Sequence, residues 1–259
     1  MTSLPDDPVS AYLAILPVTL ERIRREEIAT VGALWAEALE RGGIIHAFGT
    51  GHSGLLAQEV FYRAGGLVAV NPILDPRLGF ERGAIESTTF ERSITAAEEL
   101  VRQANFQSGD AGCVISNSGR NALPVEMALR MKGATMKVVA LTNLEQSRAA
   151  ASRHPSGLRL FEVADAVLDN RCPVGDAAIR VPGIEAPMGP LSTIVGAALL
   201  HASFIDAARR LAERKKPPAV FVSANVNQGE IQNLERLLAP YRERIRFYRS
   251  SAAETPTKS

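Results

Sequence analysis

The chain has 259 residues, of which 46% are hydrophobic and 22% charged, values typical of a globular protein rather than a disordered or fibrous one. Its 29 Lys and Arg residues nearly balance its 28 Asp and Glu residues, so the formal net charge is +1. This balance gives no electrostatic reason to expect a nucleic acid or an anionic membrane as partner, but it leaves room for a small anionic ligand at a local site.

Cysteine spacing and apolar segments bear on metal binding and on cellular location. Cys113 and Cys172 lie in no spacing typical of a metal site, which argues against a structural zinc site. We also expect no bound metal and no cofactor. The first residues show no basic region followed by an apolar run, and the stretch 194–205 is shorter than the ~20 residues that a membrane-spanning helix needs. We therefore expect a cytoplasmic protein with reduced cysteines.

The first half of the chain alternates between helical and strand patterns. Residues 7–41 carry apolar side chains at a period near 3.6, which predicts a helix that Pro17 kinks or breaks. A strand is predicted at 43–48, a helix at 54–64, a second strand at 67–70, an irregular segment at 72–86 and a helix at 88–107.

The second half continues the alternation. Strands are predicted at 112–115, 136–141, 164–169 and 219–222, and helices at 121–132, 144–153, 190–215 and 230–238. This order indicates an α/β fold, a three-layer doubly wound sandwich with a mostly parallel sheet. We divide the chain into an N-terminal helical arm (1–42), a single domain (43–249) and a flexible tail (250–259).

The first motif, Gly-Thr-Gly-His-Ser-Gly at 49–54, directly follows a predicted strand and opens a helix. Glycines let the backbone approach a ligand, and a helix N-terminus favours an anion such as phosphate. Ser53 adds a hydroxyl donor. The loop lacks the Gly-Lys-Ser/Thr of a Walker A motif, and Asn71 stands where a dinucleotide site would need an acid. A tight turn with a serine cap is the alternative.

The second motif, Ser-Asn-Ser-Gly-Arg-Asn at 116–121, repeats this arrangement after the third strand. Its hydroxyls, its backbone amides and the helix that follows make a second anion cradle. If the two strands are neighbours, the loops can enclose one phosphate from two sides without any lysine. A serine turn with a helix cap is the alternative.

In this order and spacing, the two loops resemble the phosphate-binding loops of sugar isomerase (SIS) domains, and most of all a bacterial subfamily similar to phosphoheptose isomerases. The likeness covers about residues 43–211. It implies a doubly wound fold, a phosphorylated sugar as ligand and a homo-oligomer, either dimer or tetramer. It places the ligand against Gly49, Thr50, Gly51, His52, Ser53, Ser116, Asn117, Ser118 and Asn121.

This chain has only some of the catalytic residues of those isomerases at the matching positions. Six residues after Ser53, where they have a metal-binding histidine, this chain has Glu59. Ten residues after Ser53, where they and the etherases of N-acetylmuramic acid 6-phosphate have a glutamate, it has Arg63. His201 matches a late histidine of the isomerases. The resemblance therefore implies neither the metal set nor the etherase acid.

The candidate catalytic residues are Glu59, His201 and Glu86. Glu86 and Glu91 flank the irregular segment, which can form a wall over the site, and we favour Glu86. A solvated surface acid is the alternative for each glutamate, and a core or interface histidine is the alternative for His201.

The resemblance favours an aldose–ketose isomerase of sugar phosphates, which moves a proton between adjacent carbons. Two other functions stay open. One is a sugar-phosphate sensor or regulator without catalysis, which Arg63 suggests. The other is a lyase or etherase of amino-sugar phosphates, which the tripeptide Ser118-Gly119-Arg120 suggests.

Overall fold

The structure, a computed structural model, describes residues 5–223 and 231–249. Its central sheet has five parallel strands in the order β2-β1-β3-β4-β5. These strands are β1 Ile45–Gly49, β2 Val70–Ile73, β3 Ala111–Ile115, β4 Lys137–Thr142 and β5 Ala166–Asp169. Their side chains are almost all buried, which explains why the strands read as short apolar runs.

The helices of the described residues alternate with these strands. They are α1 Pro8–Glu21, α2 Arg25–Glu40, α3 His52–Glu59, α4 Ala84–Phe90, α5 Ala97–Ala104, α6 Ala122–Gly133, α7 Leu144–Ala149, α8 Leu160–Val163, α9 Ser192–Glu213 and α10 Ile231–Leu238. Short 3₁₀ helices follow at Ala239–Tyr241 and Arg246–Tyr248. A small antiparallel hairpin, β6 Ala177–Ile179 and β7 Met188–Pro190, lies outside the main sheet.

Two hydrophobic cores sandwich the sheet. Helices α2, α3 and α9 cover one face, and α5, α6 and α8 cover the other. Along β3 the side chains alternate between them, since Cys113 and Ile115 belong to the first core and Val114 to the second. The prediction of a three-layer, doubly wound α/β fold is therefore confirmed.

The N-terminal helix differs from its prediction. The structure has two helices that separate at residues 22–24, and Pro17 lies inside the first of them. The chain turns there because α1 packs against the β6–β7 hairpin, where the Tyr12 hydroxyl donates to the Pro190 carbonyl, whereas α2 packs along α9. Trp35 of α2 stacks on Phe204 of α9 at 4.6 Å between ring centroids. The boundary of the arm at residue 42 stays a prediction.

The second strand was predicted three residues too early. The strand is Val70–Ile73, and Val68 and Ala69 before it belong to another hydrophobic core. Val68 packs with Phe221 and Tyr248, and its carbonyl accepts a hydrogen bond from the Tyr248 hydroxyl. The predicted last strand at 219–222 forms only one antiparallel bridge, between Val220 and Leu67. Residues 67–69 are thus buried outside the sheet, whereas only Phe221 is buried within 219–222.

Other boundaries also differ. The predicted helix at 88–107 is divided between α4 and α5, the helix at 144–153 ends at Ala149, and the β6–β7 hairpin was not predicted. The tail at 250–259 and residues 224–230 lie outside the described residues. In the parts of the chain that the structure describes, no helix has the length and apolar character that crossing a membrane requires.

Candidate functional site

The strand order defines where a ligand can bind. β1 lies between β2 and β3. The chain therefore passes from β1 to β2 on one side of it and then returns to β3 on the other side. In doubly wound sheets of this order, the crevice beyond the carboxyl ends of β1 and β3 is the usual binding site. Loop 1 (residues 49–53) follows β1 and loop 2 (residues 116–121) follows β3, so both motifs lie at this crevice.

Loop 1 depends on its glycines. A Cβ at Gly49 would collide with the backbone of Ser53, and Gly51 has φ +53°, a value that glycine adopts most readily. The Gly51 amide donates to the Leu78 carbonyl at 2.7 Å, which ties the irregular segment to the loop. Helix α3 begins at His52 and so presents the Ser53 hydroxyl in its first turn. That hydroxyl has no hydrogen-bond partner among residues 5–223 and 231–249.

Loop 2 presents a set of free donors. Gly119 has φ +59°, and its amide donates to the carbonyl and the hydroxyl of Ser116 at 3.1 and 3.2 Å. This turn leaves the backbone amides of Asn117, Ser118 and Arg120 and the Ser118 hydroxyl without a partner in the described part of the chain. Unpaired donors beside a helix N-terminus bind anions well.

One carboxylate joins the two loops. Glu91 Oε2 accepts from the Thr50 hydroxyl at 2.9 Å, and its Oε1 accepts from the Asn121 side-chain amide at 2.7 Å. The Glu91 carbonyl also accepts from the Leu123 amide at 3.0 Å and so caps α6. Sequence reasoning favoured Glu86 over Glu91, because nothing in the sequence shows that residue 91 reaches both loops.

Three predicted ligand residues hold the site together through their side chains. Thr50 and Asn121 are bound to Glu91, as described. Asn117 accepts from the Asn170 amide at 2.8 Å and donates to Gln146 at 3.4 Å. These contacts leave the backbone amide of Asn117, rather than its side chain, for a ligand.

His52 is exposed, and its ring packs against Phe80 with 5.0 Å between ring centroids. Beside loop 1 lies a cavity of about 520 Å³, which is lined by Gly49, Gly51, Leu55, Leu78, Phe80 and Phe247 among others. This cavity borders loop 1 and the irregular segment after β2, and its lining includes no residue of loop 2.

Comparison with known proteins identifies the family of this chain. The family model of the SIS domain matches residues 11–143, about half of the chain. The chain belongs to the SIS domain family. A UPF0309 protein of Geobacillus kaustophilus is 39% identical over 221 residues, which are 85% of this chain and 88% of that protein.

A solved phosphoheptose isomerase shares the fold. The phosphoheptose isomerase of Neisseria gonorrhoeae matches with a TM-score of 0.50 and 20% identity, over 76% of this chain and 95% of that one. The NanR protein of Vibrio vulnificus, solved in complex with ManNAc-6P, matches with a TM-score of 0.48 and 17% identity, over 90% of this chain and 67% of that one. At 20% identity the likeness to the isomerase concerns the fold alone.

In this SIS domain, two of the candidate catalytic residues meet. His201 Nε2 of α9 lies 3.3 Å from Glu59 Oε1 at the end of α3, and Arg63 forms an ion pair with the same carboxylate. Burial, and next the positive charge of Arg63, lower the pKa of His201, so its imidazole is neutral at pH 7.

The third candidate, Glu86, is exposed and pairs with Arg82 at 3.4 Å. Among the described residues, no hydrogen bond or ion pair connects it with either loop. The structure therefore brings Glu59 and His201 together and leaves Glu86 apart.

The donor set does not fit the metal that phosphoheptose isomerases would suggest here. Glu59 stands in place of a histidine ligand, and the Arg63 cation occupies its carboxylate. No group of three or more His, Cys, Asp or Glu side chains is arranged for a metal ion within residues 5–223 and 231–249.

Proposed function

We propose that this SIS-domain protein binds a phosphorylated sugar at the crevice between β1 and β3, with the phosphate between the two loops. The observation that carries the proposal is the Glu91 carboxylate, which accepts hydrogen bonds from both loops. It connects the loop that carries Ser53 with the loop that carries Ser118. Neutral donors at two helix N-termini suit a phosphate group.

We propose further that the protein is an aldose–ketose isomerase, in which Glu59 and His201 transfer the proton. A phosphate at the start of α3 lies about 10 Å from Glu59, given a rise of about 1.5 Å per residue over the seven residues from His52. That span is comparable to an extended sugar phosphate. A carboxylate in contact with a neutral imidazole supplies the base and the acid that proton transfer between adjacent carbons needs.

A second candidate function is a sugar-phosphate sensor without catalysis. The observation in its favour is the ion pair of Arg63 with Glu59, which engages the carboxylate that would have to act as the base. Binding at the loops does not depend on this pair, so both candidates share the same phosphate site.

We also propose that the protein is a cytoplasmic homo-oligomer. Large apolar side chains are exposed on α1 and α9, since Leu13 is 63% exposed and Ile205 70% exposed. Apolar surface of this kind is commonly covered by another subunit. Light scattering at micromolar concentration tests this, and a monomer would contradict it.

The phosphate site is tested with the Ser118→Ala variant. We expect its dissociation constant for glucose 6-phosphate, measured by isothermal titration calorimetry, to rise about tenfold, since a charge-assisted hydrogen bond is lost. The matched control is Ser108→Ala, an exposed serine before β3 at the opposite edge of the sheet. Unchanged affinity of Ser118→Ala would contradict the phosphate site.

The reaction is tested by NMR with a panel of aldose and ketose phosphates. Interconversion that is lost in His201→Gln supports the isomerase. Tight binding without any chemical change over hours supports the sensor, and release of lactate or ammonia from an amino-sugar phosphate would contradict both.

A further inference from the structure

Three arginines from three separate segments surround loop 2. Arg120 belongs to the loop itself, Arg92 directly follows Glu91, and Arg153 lies in the segment after α7. The Arg153 amide donates to the Arg120 carbonyl at 2.8 Å, and its guanidinium donates to the Asn121 side-chain oxygen at 2.7 Å. We call Arg92, Arg120 and Arg153 the arginine cluster.

The arginine cluster lacks counter-charges. Within the described residues, none of its members has a carboxylate oxygen within 4.0 Å, although arginines elsewhere do, such as Arg171 with Glu27 at 2.9 Å. The carboxylate beside loop 2 is that of Glu91, and both of its oxygens accept hydrogen bonds from residues of the two loops. Glu126, which contacts His154 directly after Arg153, is already paired with Arg130 and His154.

Arg92 and Arg153 are exposed and Arg120 is half-buried, and the three like charges repel one another. Burial, and then repulsion by Arg120 and Arg92, lower the pKa of Arg153, and the charge of Glu91 does not offset them. The Nε of Arg120 is buried and has no hydrogen-bond partner among residues 5–223 and 231–249. Buried donors in folded proteins are nearly always paired. Arg171, Arg242 and Arg244 also have an unpaired Nε, but each of them has a carboxylate partner and Arg120 has none, so an acceptor from a ligand suits Arg120.

We propose that the sugar phosphate bound by this protein carries a second anionic group, a carboxylate or another phosphate, which binds the arginine cluster. This inference rests on the proposed phosphate site. One phosphate finds its donors in the neutral hydroxyls and amides of the two loops, so three additional guanidinium groups exceed what a monophosphate requires. The planar guanidinium also matches carboxylate and phosphate oxygens in a bidentate manner.

The test compares three ligands by isothermal titration calorimetry with the full chain: glucose 6-phosphate, 6-phosphogluconate, which adds a carboxylate, and glucose 1,6-bisphosphate, which adds a phosphate. We expect at least one of the two doubly anionic ligands to bind about tenfold more tightly than glucose 6-phosphate, as one charge-assisted hydrogen bond provides. Which of them binds more tightly identifies the second group.

The variants are Arg120→Gln and Arg153→Gln, with Arg41→Gln as the matched control, because Arg41 is exposed and precedes β1 at the opposite edge of the sheet. We expect either cluster variant to weaken binding of the doubly anionic ligand more than that of glucose 6-phosphate, so that the preference between them is abolished. Thermal unfolding confirms that each variant is folded.

Two results would overturn the inference. One is equal affinity of the wild-type protein for all three ligands. The other is an equal loss for all three in the cluster variants, which would assign the arginines to the common phosphate. Neither result affects the proposed phosphate site, which fails only if glucose 6-phosphate does not bind or if Ser118→Ala leaves its affinity unchanged.

Discussion

The side-chain amide of Asn121 lies 2.7 Å from Oε1 of Glu91, and this hydrogen bond connects the start of α6 with the end of α4. Because the other oxygen of Glu91 holds Thr50, the position of loop 2 depends on that of loop 1. Asn121 and Thr50 are both buried, at 8% and 6% exposure, so neither can exchange this partner for bulk water without opening the site.

We predict that Glu91→Ala destabilises the fold and weakens ligand binding. The change leaves the buried Thr50 hydroxyl and Asn121 amide unpaired, which costs about 1–3 kcal/mol of unfolding free energy. Urea denaturation measures this loss, and calorimetry with glucose 6-phosphate measures the loss of affinity. Glu86→Ala is the control, since Glu86 is exposed and contacts Arg82 only weakly.

The conservative variant Glu91→Gln separates positioning from chemistry. Its carbonyl can accept from Asn121, and its amide can donate to Thr50, whose hydroxyl reverses its role. We expect Glu91→Gln to restore stability and binding and to retain turnover. Loss of turnover with intact binding would show instead that the carboxylate itself transfers a proton.

Gly119 is the second test of the site. A Cβ there would lie 2.6 Å from the Ser147 hydroxyl and 2.8 Å from that of Thr142, at a φ of +59°. We predict that Gly119→Ala lowers the unfolding free energy by ~2 kcal/mol or more and weakens phosphosugar binding, because the turn must shift. Gly133→Ala at the end of α6, where a Cβ would meet no atom within 4 Å, should be neutral or stabilising in the same assays.

The C-terminal segment is attached through a buried ion pair. One guanidinium nitrogen of Arg244 lies 2.7 Å from each oxygen of Asp110, whose side chain is 1% exposed. We predict that Arg244→Gln lowers the unfolding free energy by about 3 kcal/mol, because it leaves a buried carboxylate without its cation.

The matched control lies in the same segment. Arg242 pairs with the exposed Glu235, so Arg242→Gln should change stability little. Equal unfolding midpoints of the two variants in urea would mean that Asp110 does not depend on Arg244.

His46 makes the stability dependent on pH. Its buried ring contacts Asp110 through Nε2 and the Asn71 amide through Nδ1, each at 3.0 Å. This arrangement suits the neutral tautomer with its proton on Nε2, and burial lowers the pKa of His46. Below about pH 6.5 the unfolded chain therefore binds a proton at His46 more readily than the native protein does.

Stability contributed by His46 is therefore present above about pH 6.5 and is lost as the pH falls towards the native pKa. We expect the unfolding free energy to decrease between pH 7 and pH 5, by at most about 1.4 kcal/mol per pH unit for this group. Urea denaturation at several pH values measures the slope. NMR of the ring nitrogens checks the cause, and a protonated His46 in the folded protein at pH 6 would contradict it.

The sequence was sufficient to predict the class of fold, since apolar strands of a few residues followed by helices leave few arrangements other than a parallel sheet between two helical layers. It was also sufficient to locate both loops, because glycine and serine at the start of a helix have a local physical meaning. It misplaced β2 because Val68 is buried under Tyr248 rather than in the sheet, and apolar character does not distinguish the two.

What only the tertiary structure decided is the set of partners that come from far along the chain. Glu91 is 41 residues from Thr50, and Arg153 is 32 residues from Asn121, so no local pattern links them. Sequence reasoning expected a phosphate cradle of neutral groups and did not find the arginines beside it. Periodicity and turn chemistry describe neighbours along the chain, whereas the charge at a site is the sum over segments that only folding brings together.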